Sequence, residues 1–403
     1  MLTSSYPKHP GDTTAPFIES IAHAVAARGH DVDVILPFHP DLQRGDGEPV
    51  RFFPYRYAPR DAWSLWGYAQ SMEADVRVRP GVYLLAPLVA AALRLLLGER
   101  LLAERYDVVQ AHWVVPNAAF VTDLVCAHGV PFVISLHGSD VFLAERFAPA
   151  RILAGAAFRA AGAVSACSED LHTRALRLGA DPGRTRTVPY GVDLEAFAPG
   201  RSRPDVRARL GVSPESLFVL AVGRLVEKKG FEYLVQAVAG RRDLHVVIAG
   251  DGDLRRPLEQ QARKCDAAVT FPGALDRELT AAALATADVV VVPSVVDRSG
   301  NVDGLPNTLL ESLAAGRAVV ASQVAGIPEV VQDGINGRLV PPKDAAALRN
   351  VLLELAAQPG ERRRLGQAAR HTAVERLDWQ VAARAFEECY AQAAAMEARP
   401  RHR

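Results

Sequence analysis

Twice along this chain, short runs that are apolar at nearly every position alternate with segments whose apolar residues recur at helical spacing. DVVQAH, PFVISLHG, AVSAC and TRTVPYG are the strand-like runs of the first half, with helical patterns in AAFVTDLVCAH, residues 148–161 and EDLHTRALRLG between them. LFVLAVGR, LHVVIAG, AAVTFPG, ADVVVVPS and AVVAS repeat the design in the second half. A continuously apolar strand is covered on both faces, and a helix between successive strands is the crossover that parallel pairing needs. The chain is therefore predicted to be α/β, with two doubly wound parallel-sheet domains in tandem. Its 403 residues suit two domains better than one core. FAPGRSRPDVRARLGV offers Pro, Gly and Arg in place of core residues and reads as the linker. This sets an amino-terminal domain at 1–197, a second at 198–376 and a closing helical segment at 377–403. Ligands of such sheets bind beyond the carboxyl ends of the strands, so two facing domains predict a cleft.

Charge and cysteine usage remove other classes. Forty-six basic and 46 acidic residues cancel, which leaves no whole-molecule field to hold nucleic acid, and no nucleic-acid module is legible. Cys126, Cys167, Cys265 and Cys389 are scattered without paired or metal-type spacing, the pattern of reduced thiols in a cytoplasmic protein. The opening MLTSSYPKHPGD has neither the charged region nor the apolar core of a signal peptide. Val82 to Leu97, the longest apolar stretch, is broken by Pro87 and Arg94 and is too short to span a bilayer. The helix expected from Val82 to Glu104 carries leucines that suit either a core or an anionic lipid surface, and burial is the expectation.

Only Met1 to Ser5 precede the loop SYPKHPGD, so either the first strand is short or the start lies too far downstream. From Thr14 a helix presents Phe17, Ile18, Ile21, Ala22 and Val25 on one face and stops at Gly29, before the strand DVDVILP. Gly11 and Asp12 sit in the loop between, where close approach of a ligand is expected. Residues 40–80 are irregular and aromatic. Trp63, Trp66 and Tyr68 could line an acceptor site there, but packing against the domain is the preferred expectation.

The chemistry concentrates in Asp303-Gly304-Leu305-Pro306-Asn307-Thr308-Leu309-Leu310-Glu311, between the strand ADVVVVPS and the helix TLLESLAAG. Pro306 suits the first helical position, and the amides of Asn307 and Thr308 would then attract an anion. Asp303 precedes the helix and Glu311 lies about a turn and a half inside it. Two carboxylates around such a helix end suit a ligand with hydroxyls and phosphate, as in a nucleotide sugar. Arg224 and Lys229 follow the strand LFVLAVGR and form a candidate diphosphate clamp, Arg as a planar fork and Lys as a point charge, with Lys228 assigned to a solvated loop. Gly223, Gly273, Gly304 and Leu305 complete the substrate-binding residues expected in this half. In the first half His137 ends the strand PFVISLHG, beside Gly138, where it is expected to act on a sugar hydroxyl or the acceptor, and Asp140 is a weaker candidate of the same kind. Asp251-Gly252-Asp253 and Asp31-Val32-Asp33 have the spacing of metal-binding acids but read as a glycine turn, with Asp253 as a helix N-cap, and as the start of a strand. No metal is expected, because Arg224, Lys229 and the helix amides supply the positive charge a leaving diphosphate requires.

Taken together, SYPKHPGD, RGHDV, HWVVPNA, HGSD, VPYGVD, GRLVEKKG, AGDGDL, PSVVDRSGNVDGLPNTLLESLAAGRAVVAS and GIPEVVQDGINGRLVPP resemble the glycosyltransferases of family 4, over nearly the whole length. The resemblance implies the GT-B fold, with two Rossmann-like domains facing across a cleft, the first for the acceptor and the second for the nucleotide sugar. It implies a hexosyltransferase that uses a UDP- or GDP-sugar, retains anomeric configuration and needs no cofactor. The acceptor would be sugar- or lipid-linked, in cell-envelope or other glycoconjugate or polysaccharide synthesis; peripheral contact at the inner face of the membrane stays an open alternative to burial of the α-helical leucines. By the same resemblance Arg224 and Lys229 hold the diphosphate, Glu311 the donor ribose and Asp303 the sugar hydroxyls, while His137 lies near the sugar at the reacting face. Two departures cloud the identity of the donor: Asp303 stands where Glu is commoner, and Gly11-Asp12 stands where many relatives carry paired glycines. The closing segment LDWQVAARAFEECYAQAAAMEA, with Trp379, Val381, Ala385, Phe386 and Tyr390 at helical spacing, is implied to cross back onto the first domain rather than to cap the second. A nucleotide-sugar epimerase, a sugar phosphorylase and a non-catalytic nucleotide-sugar-binding protein stay open as alternatives.

Overall fold

The computed structural model describes residues 1–12, 14–45, 47–58, 66–68, 72–73, 77–78 and 80–397. The chain divides into two compact units, Met1–Pro189 with Trp379–Arg403, and Tyr190–Asp378. The divisions fall at 189/190 and 378/379, where the sequence reading set them at 197/198 and 376/377.

In the first unit the opening strand is reduced to Leu2, which bridges Ile35 and Ala111 in parallel. Its amide donates to the Gln110 carbonyl at 2.8 Å and its carbonyl accepts from His112 at 2.9 Å. Helix α1 (Pro16–Ala26) buries Ile18, Ile21, Ala22 and Val25, the face its spacing predicts. There follow β1 (Asp33–Pro37), β2 (Arg51–Tyr55), a short antiparallel pair β3 (Met72–Glu73) and β4 (Arg77–Val78), α2 (Pro80–Ala103), β5 (Val109–His112), α3 (Ala119–Ala127), β6 (Phe132–Leu136), α4 (Ser139–Arg146), α5 (Ala148–Ala160), β7 (Ala163–Ala166), α6 (Glu169–Arg177) and β8 (Thr185–Thr187). The main sheet is parallel throughout, β2-β1 joined through Leu2 to β5-β6-β7-β8. The chain winds one way from Leu2 to β1 and β2 and the other way from β5 to β8. The switch point therefore lies beside Leu2.

Burial of the α2 leucines is only half realised. Val89, Leu93 and Leu97 are buried, whereas Leu84, Leu88, Leu95 and Leu102 are 81, 50, 68 and 81 % exposed. The helix has more leucines than the single stripe, roughly 100° wide, that one core can cover. No helix of the described residues is long and apolar enough to cross a membrane. Trp66 and Tyr68 are packing residues: Trp66 stacks on Phe120 with ring centroids 6.1 Å apart, and the Tyr68 hydroxyl donates to the Pro37 carbonyl at 2.7 Å. Trp63 lies outside the described residues.

The second unit takes in the whole stretch expected to be a linker, residues 197–212, and Val206, Leu210 and Val212 of that stretch are buried. A short helix α7 (Asp205–Arg209) docks them, so a segment chosen for its Pro, Gly and Arg content still supplies core. The unit continues through β9 (Leu217–Val222), α8 (Phe231–Ala237), β10 (Leu244–Ala249), α9 (Arg255–Lys264), β11 (Val269–Thr270), α10 (Arg277–Thr286), β12 (Val289–Val292), α11 (Asn307–Ala314), β13 (Ala318–Ser322), α12 (Ile327–Val330), β14 (Arg338–Val340), α13 (Ala345–Ala357) and α14 (Pro359–Arg376). Its six-stranded parallel sheet has the order β11-β10-β9-β12-β13-β14. Here the switch point falls between β9 and β12.

The last helix, α15 (Trp379–Glu397), packs on α1, β6 and β7 of the first unit. Ala382, Ala383, Phe386, Cys389 and Ala393 form its buried face. Tyr390 donates to Gln110 at 2.6 Å, and Glu387 pairs with Arg28 at 2.7 Å. A Cβ on Gly162 would stand 2.7 Å from the Ala393 backbone, so a glycine there lets the helix lie against the sheet.

Candidate active site

In an open parallel sheet the strand-to-helix loops diverge at the switch point and leave a crevice. In the second unit the loops beside it are residues 223–230, after β9, and residues 293–306, after β12. Glycines let these loops and the next one touch. A Cβ on Gly230 would come 2.0 Å from the Pro293 carbonyl oxygen, and one on Gly250 would come 1.9 Å from that of Gly223. Gly230 and Gly250 have φ of 65° and 139°, which side chains rarely adopt. Gly223 itself lies over Lys229: a Cβ there would be 3.2 Å from Lys229 Cε.

That closure brings two lysines onto one acid. Lys229 Nζ is 2.6 Å from Asp303 Oδ2 and Lys228 Nζ is 3.0 Å from Asp303 Oδ1. Lys228 is thus a missed site residue: the side chain assigned to a solvated loop is 12 % exposed and ion-paired. Its signal was the Lys-Lys doublet itself, since either lysine could have turned inward. Burial would raise the Asp303 carboxyl, but Lys229 and Lys228 outweigh it and hold it well below the usual carboxylate range.

Helix α11 supplies the rest. Pro306 is its N-cap rather than its first residue, with ψ at 125°, so the helix opens on Asn307. The amides of the first turn, Asn307 and Thr308 among them, have no partner within the helix. The Thr308 hydroxyl donates to the carbonyl of Val222, the last residue of β9, at 3.3 Å and ties the helix start to the strand end. Gly304 accepts from the amide of Gly326 at 2.9 Å, and Leu305 is buried under the turn. Glu311 is half-buried one turn further on. Burial pushes its carboxyl up to about 7, and Arg277 and Lys229 draw it part of the way back. Lys229 is therefore the residue that senses both acids, and Arg277 is a second cation that sequence reasoning did not single out. Arg224 is exposed at the end of the loop turn, two residues beyond β9. Gly273 follows β11, and its carbonyl accepts from Gly250 at 2.8 Å, so it braces the loop after β10.

Asp253 is not the N-cap of α9: that helix opens at Arg255 behind Leu254. The turn is held instead by Asp251, whose carboxylate accepts from the Gly252 amide at 2.9 Å, and by the Leu254 amide donating to the Leu225 carbonyl at 2.9 Å. Among the described residues one group of three acid or imidazole side chains draws together, Glu19, His23 and Glu48, and Arg44 already bridges its two carboxylates at 2.7 and 2.9 Å.

The first unit carries its own strand-end cluster at its switch point. His137 Nε2 and His112 Nδ1 are 3.0 Å apart, and Phe17 and Trp113 close on the His137 ring at 5.0 and 4.9 Å between centroids. Burial pushes the His137 imidazole down to about 3, so it is neutral and offers a hydrogen bond rather than a charge. His112 is fully buried and was not anticipated. Asp140 is turned inward: its carboxylate accepts from the amides of Val114, Gly138 and His137 at 2.8, 3.1 and 3.3 Å. In this structure it shapes the loop that presents His137. Gly11 has φ 87° in a loop that Asp12 organises by accepting from Lys8 and Thr14, and the Ser4 hydroxyl ties that loop to Asn117 at 2.8 Å.

Comparison with known proteins agrees with this layout. Residues 15–196 match the profile of Glycosyltransferase Family 4, and residues 202–372 match that of Glycosyl transferases group 1. A D-inositol 3-phosphate glycosyltransferase of Xylanimonas cellulosilytica is 37% identical over 228 residues, 53% of this chain and 53% of that protein, so the match spans about half the length of that relative. Alpha-maltose-1-phosphate synthase of Mycolicibacterium smegmatis is 33% identical over 309 residues, 69% of this chain and 76% of that one. Among solved structures, Anabaena HepE in complex with UDP superposes with a TM-score of 0.74 at 21% identity, covering 97% of this chain and 98% of that one. Extended likeness to the maltose-1-phosphate synthase in sequence and to HepE in fold leads to one conclusion: the chain belongs to glycosyltransferase family 4 and has the GT-B fold.

Proposed function

We propose that the chain transfers a hexosyl unit from a nucleotide-diphosphate sugar to a hydroxyl acceptor, with retention of anomeric configuration. The observation that carries this reading is the convergence of Lys228 and Lys229 on Asp303, beside the open amide end of α11 and the half-buried Glu311. Two ammonium groups and a helix end match a diphosphate in charge, and the two acids match the hydroxyls on either side of it. In this reading the diphosphate takes over Lys229 and Arg224, Asp303 turns to the transferred sugar, and Glu311 accepts from the ribose. Positive charge aimed at the departing diphosphate then lowers the barrier, since that is where negative charge develops. The donor is a UDP- or GDP-sugar in this reading: HepE binds UDP, and a related mannosyltransferase of Mycolicibacterium smegmatis, 34% identical over 203 residues, is GDP-mannose-dependent. The test is nucleotide release across a panel of nucleotide sugars and sugar or lipid-linked acceptors. Lys229→Ala and Arg224→Ala are each expected to slow release by roughly 100- to 1000-fold with the fold retained, Lys229→Ala melting somewhat lower because Asp303 loses one of its two cations. Near-normal rates in both would overturn the reading, and an isomerised donor without acceptor would point to an epimerase.

Peripheral membrane contact and a lipid-linked acceptor belong to the same proposal. Leu84, Leu88, Leu95 and Leu102 repeat at intervals of 4, 7 and 7 residues and share one exposed side of α2. That is the geometry of a helix resting in a lipid interface. Replacing Leu88, Leu95 and Leu102 with Ser should release the protein from vesicles containing anionic lipid in a sedimentation assay. Equal sedimentation of both forms would count against it.

A further inference from the structure

At the opposite edge of the second unit's sheet, where β12 and β13 begin, a cavity of about 470 Å³ is lined by Arg317, Arg362, Arg363 and Arg370. Among the described residues none of the four forms an ion pair. Three of them spend their donors on neutral backbone: Arg317 on the Ala315 carbonyl at 3.1 Å, Arg362 on that of Ala356 at 3.1 Å, and Arg370 on that of Ala314 at 2.8 Å. Arg363 is exposed and, among the described residues, makes no hydrogen bond or ion pair. Elsewhere in the same unit arginines are matched with acids, as in Arg241 with Asp243 at 2.5 Å and Arg338 with Glu354 at 2.7 Å. The carboxylate that reaches this cavity, Asp288, is already engaged by Arg207 at 2.5 Å and by the Phe218 amide at 2.8 Å. Four guanidinium groups thus share a hollow without a counter-charge of their own. Burial pulls the Arg317 guanidinium down, and Asp288 only partly offsets it.

We propose that this cavity is a second anion site, built for a small ligand carrying one or two phosphate groups. The charge surplus exceeds what one carboxylate would neutralise, and guanidinium forks suit phosphate oxygens in pairs. The volume falls within the roughly 300–1,000 Å³ of small-molecule sites. The site is separate from the donor crevice. From Asp288 to Pro293 the chain crosses the sheet along β12, about 16 Å at strand rise, and the donor-side loops begin only there. It is also connected to that crevice, because Arg317 and Arg370 hold the carbonyls at the end of α11, the helix whose opening turn faces the proposed diphosphate. An anion that engages these two guanidinium groups acts on the far end of the same helix.

The test is calorimetric titration of the full chain with inorganic pyrophosphate, comparing wild type with Arg363→Gln, Arg362→Gln/Arg363→Gln and Lys229→Ala. Two binding events are expected for wild type. Arg363→Gln should weaken one of them by about tenfold, as loss of one charge-assisted contact does, and the double variant should abolish it. Lys229→Ala should keep that event and lose the other. Arg363 is exposed and has no hydrogen bond or ion pair among the described residues, so Arg363→Gln is expected to fold, and its melting curve checks this. Arginine variants that titrate as wild type would overturn the site, whatever Lys229→Ala does. Loss in the arginine variants with no effect of Lys229→Ala would uphold it and sink the donor reading instead. Sedimentation with phosphatidylglycerol vesicles separates a headgroup from a free phosphate. Arginine-dependent vesicle binding without pyrophosphate binding would overturn the small-ligand assignment.

Discussion

Glu311 shows how one side chain ties location to chemistry. Its carboxyl is pushed up to about 7 by burial, with Arg277 and Lys229 opposing. In the proposed role Glu311 accepts from the ribose hydroxyls, and its ionised form accepts more strongly than the protonated one, so nucleotide binding is expected to favour loss of the proton. Affinity for a nucleotide-diphosphate sugar, whose phosphates do not titrate in this range, is therefore expected to rise as pH increases toward 7, by up to about tenfold per unit, and to level off above it. Folding stability runs the other way. The folded chain keeps a proton that the unfolded chain loses in the ordinary carboxylate range, so this group's contribution declines as pH rises to about 7. Dissociation constants measured from about pH 5.5 to 8.5 check the first statement, with Glu311→Gln expected to be flat. A flat wild-type profile would separate Glu311 from the ribose.

At the scale of elements, the crevice exists because three loops approach closer than side chains allow. Gly250 meets the Gly223 carbonyl, Gly252 meets that of Leu225 and Gly230 meets that of Pro293, at 1.9, 2.6 and 2.0 Å from where a Cβ would stand. Gly250→Ala must push the loop after β10 away from the loop after β9, and with it the backbone under Lys229. A loss of at least about 2 kcal/mol in denaturant unfolding is expected, together with weaker nucleotide binding. Unchanged values for both would show that the loops can part freely. Gly273 acts here too, since its carbonyl fixes the Gly250 amide.

For the whole molecule, the telling feature is a chain that leaves the first unit at Pro189 and returns to it at Trp379. The second unit is one continuous segment, Tyr190–Asp378, while the first depends on α15 to cover α1, β6 and β7. Ending the chain after Asp378 uncovers Phe386's partners and leaves the Gln110 side chain without Tyr390. The truncated protein is expected to lose the first unit's unfolding transition and expose apolar surface to a dye such as ANS. The second unit should keep a cooperative transition and bind nucleotide. Retention of both transitions would mean that α15 is dispensable.

Alternation of buried strands with amphipathic helices, read from sequence, determined the class of fold, the parallel sheets and the strand ends at which Arg224, Lys229, Asp303 and His137 lie. Local patterning suffices for this because side-chain period and strand burial are properties of neighbouring residues. Which lysine of an adjacent pair turns inward, which leucines of α2 face water, and that Asp140 spends its oxygens on backbone amides were not legible. Each depends on what the loops of distant strands bring within a few ångströms, and only the folded chain decides that. The arginine cavity belongs to the same category: Arg317 and the α14 residues Arg362, Arg363 and Arg370 are some 45 to 53 positions apart in sequence, and they meet because α14 folds back along the start of β13.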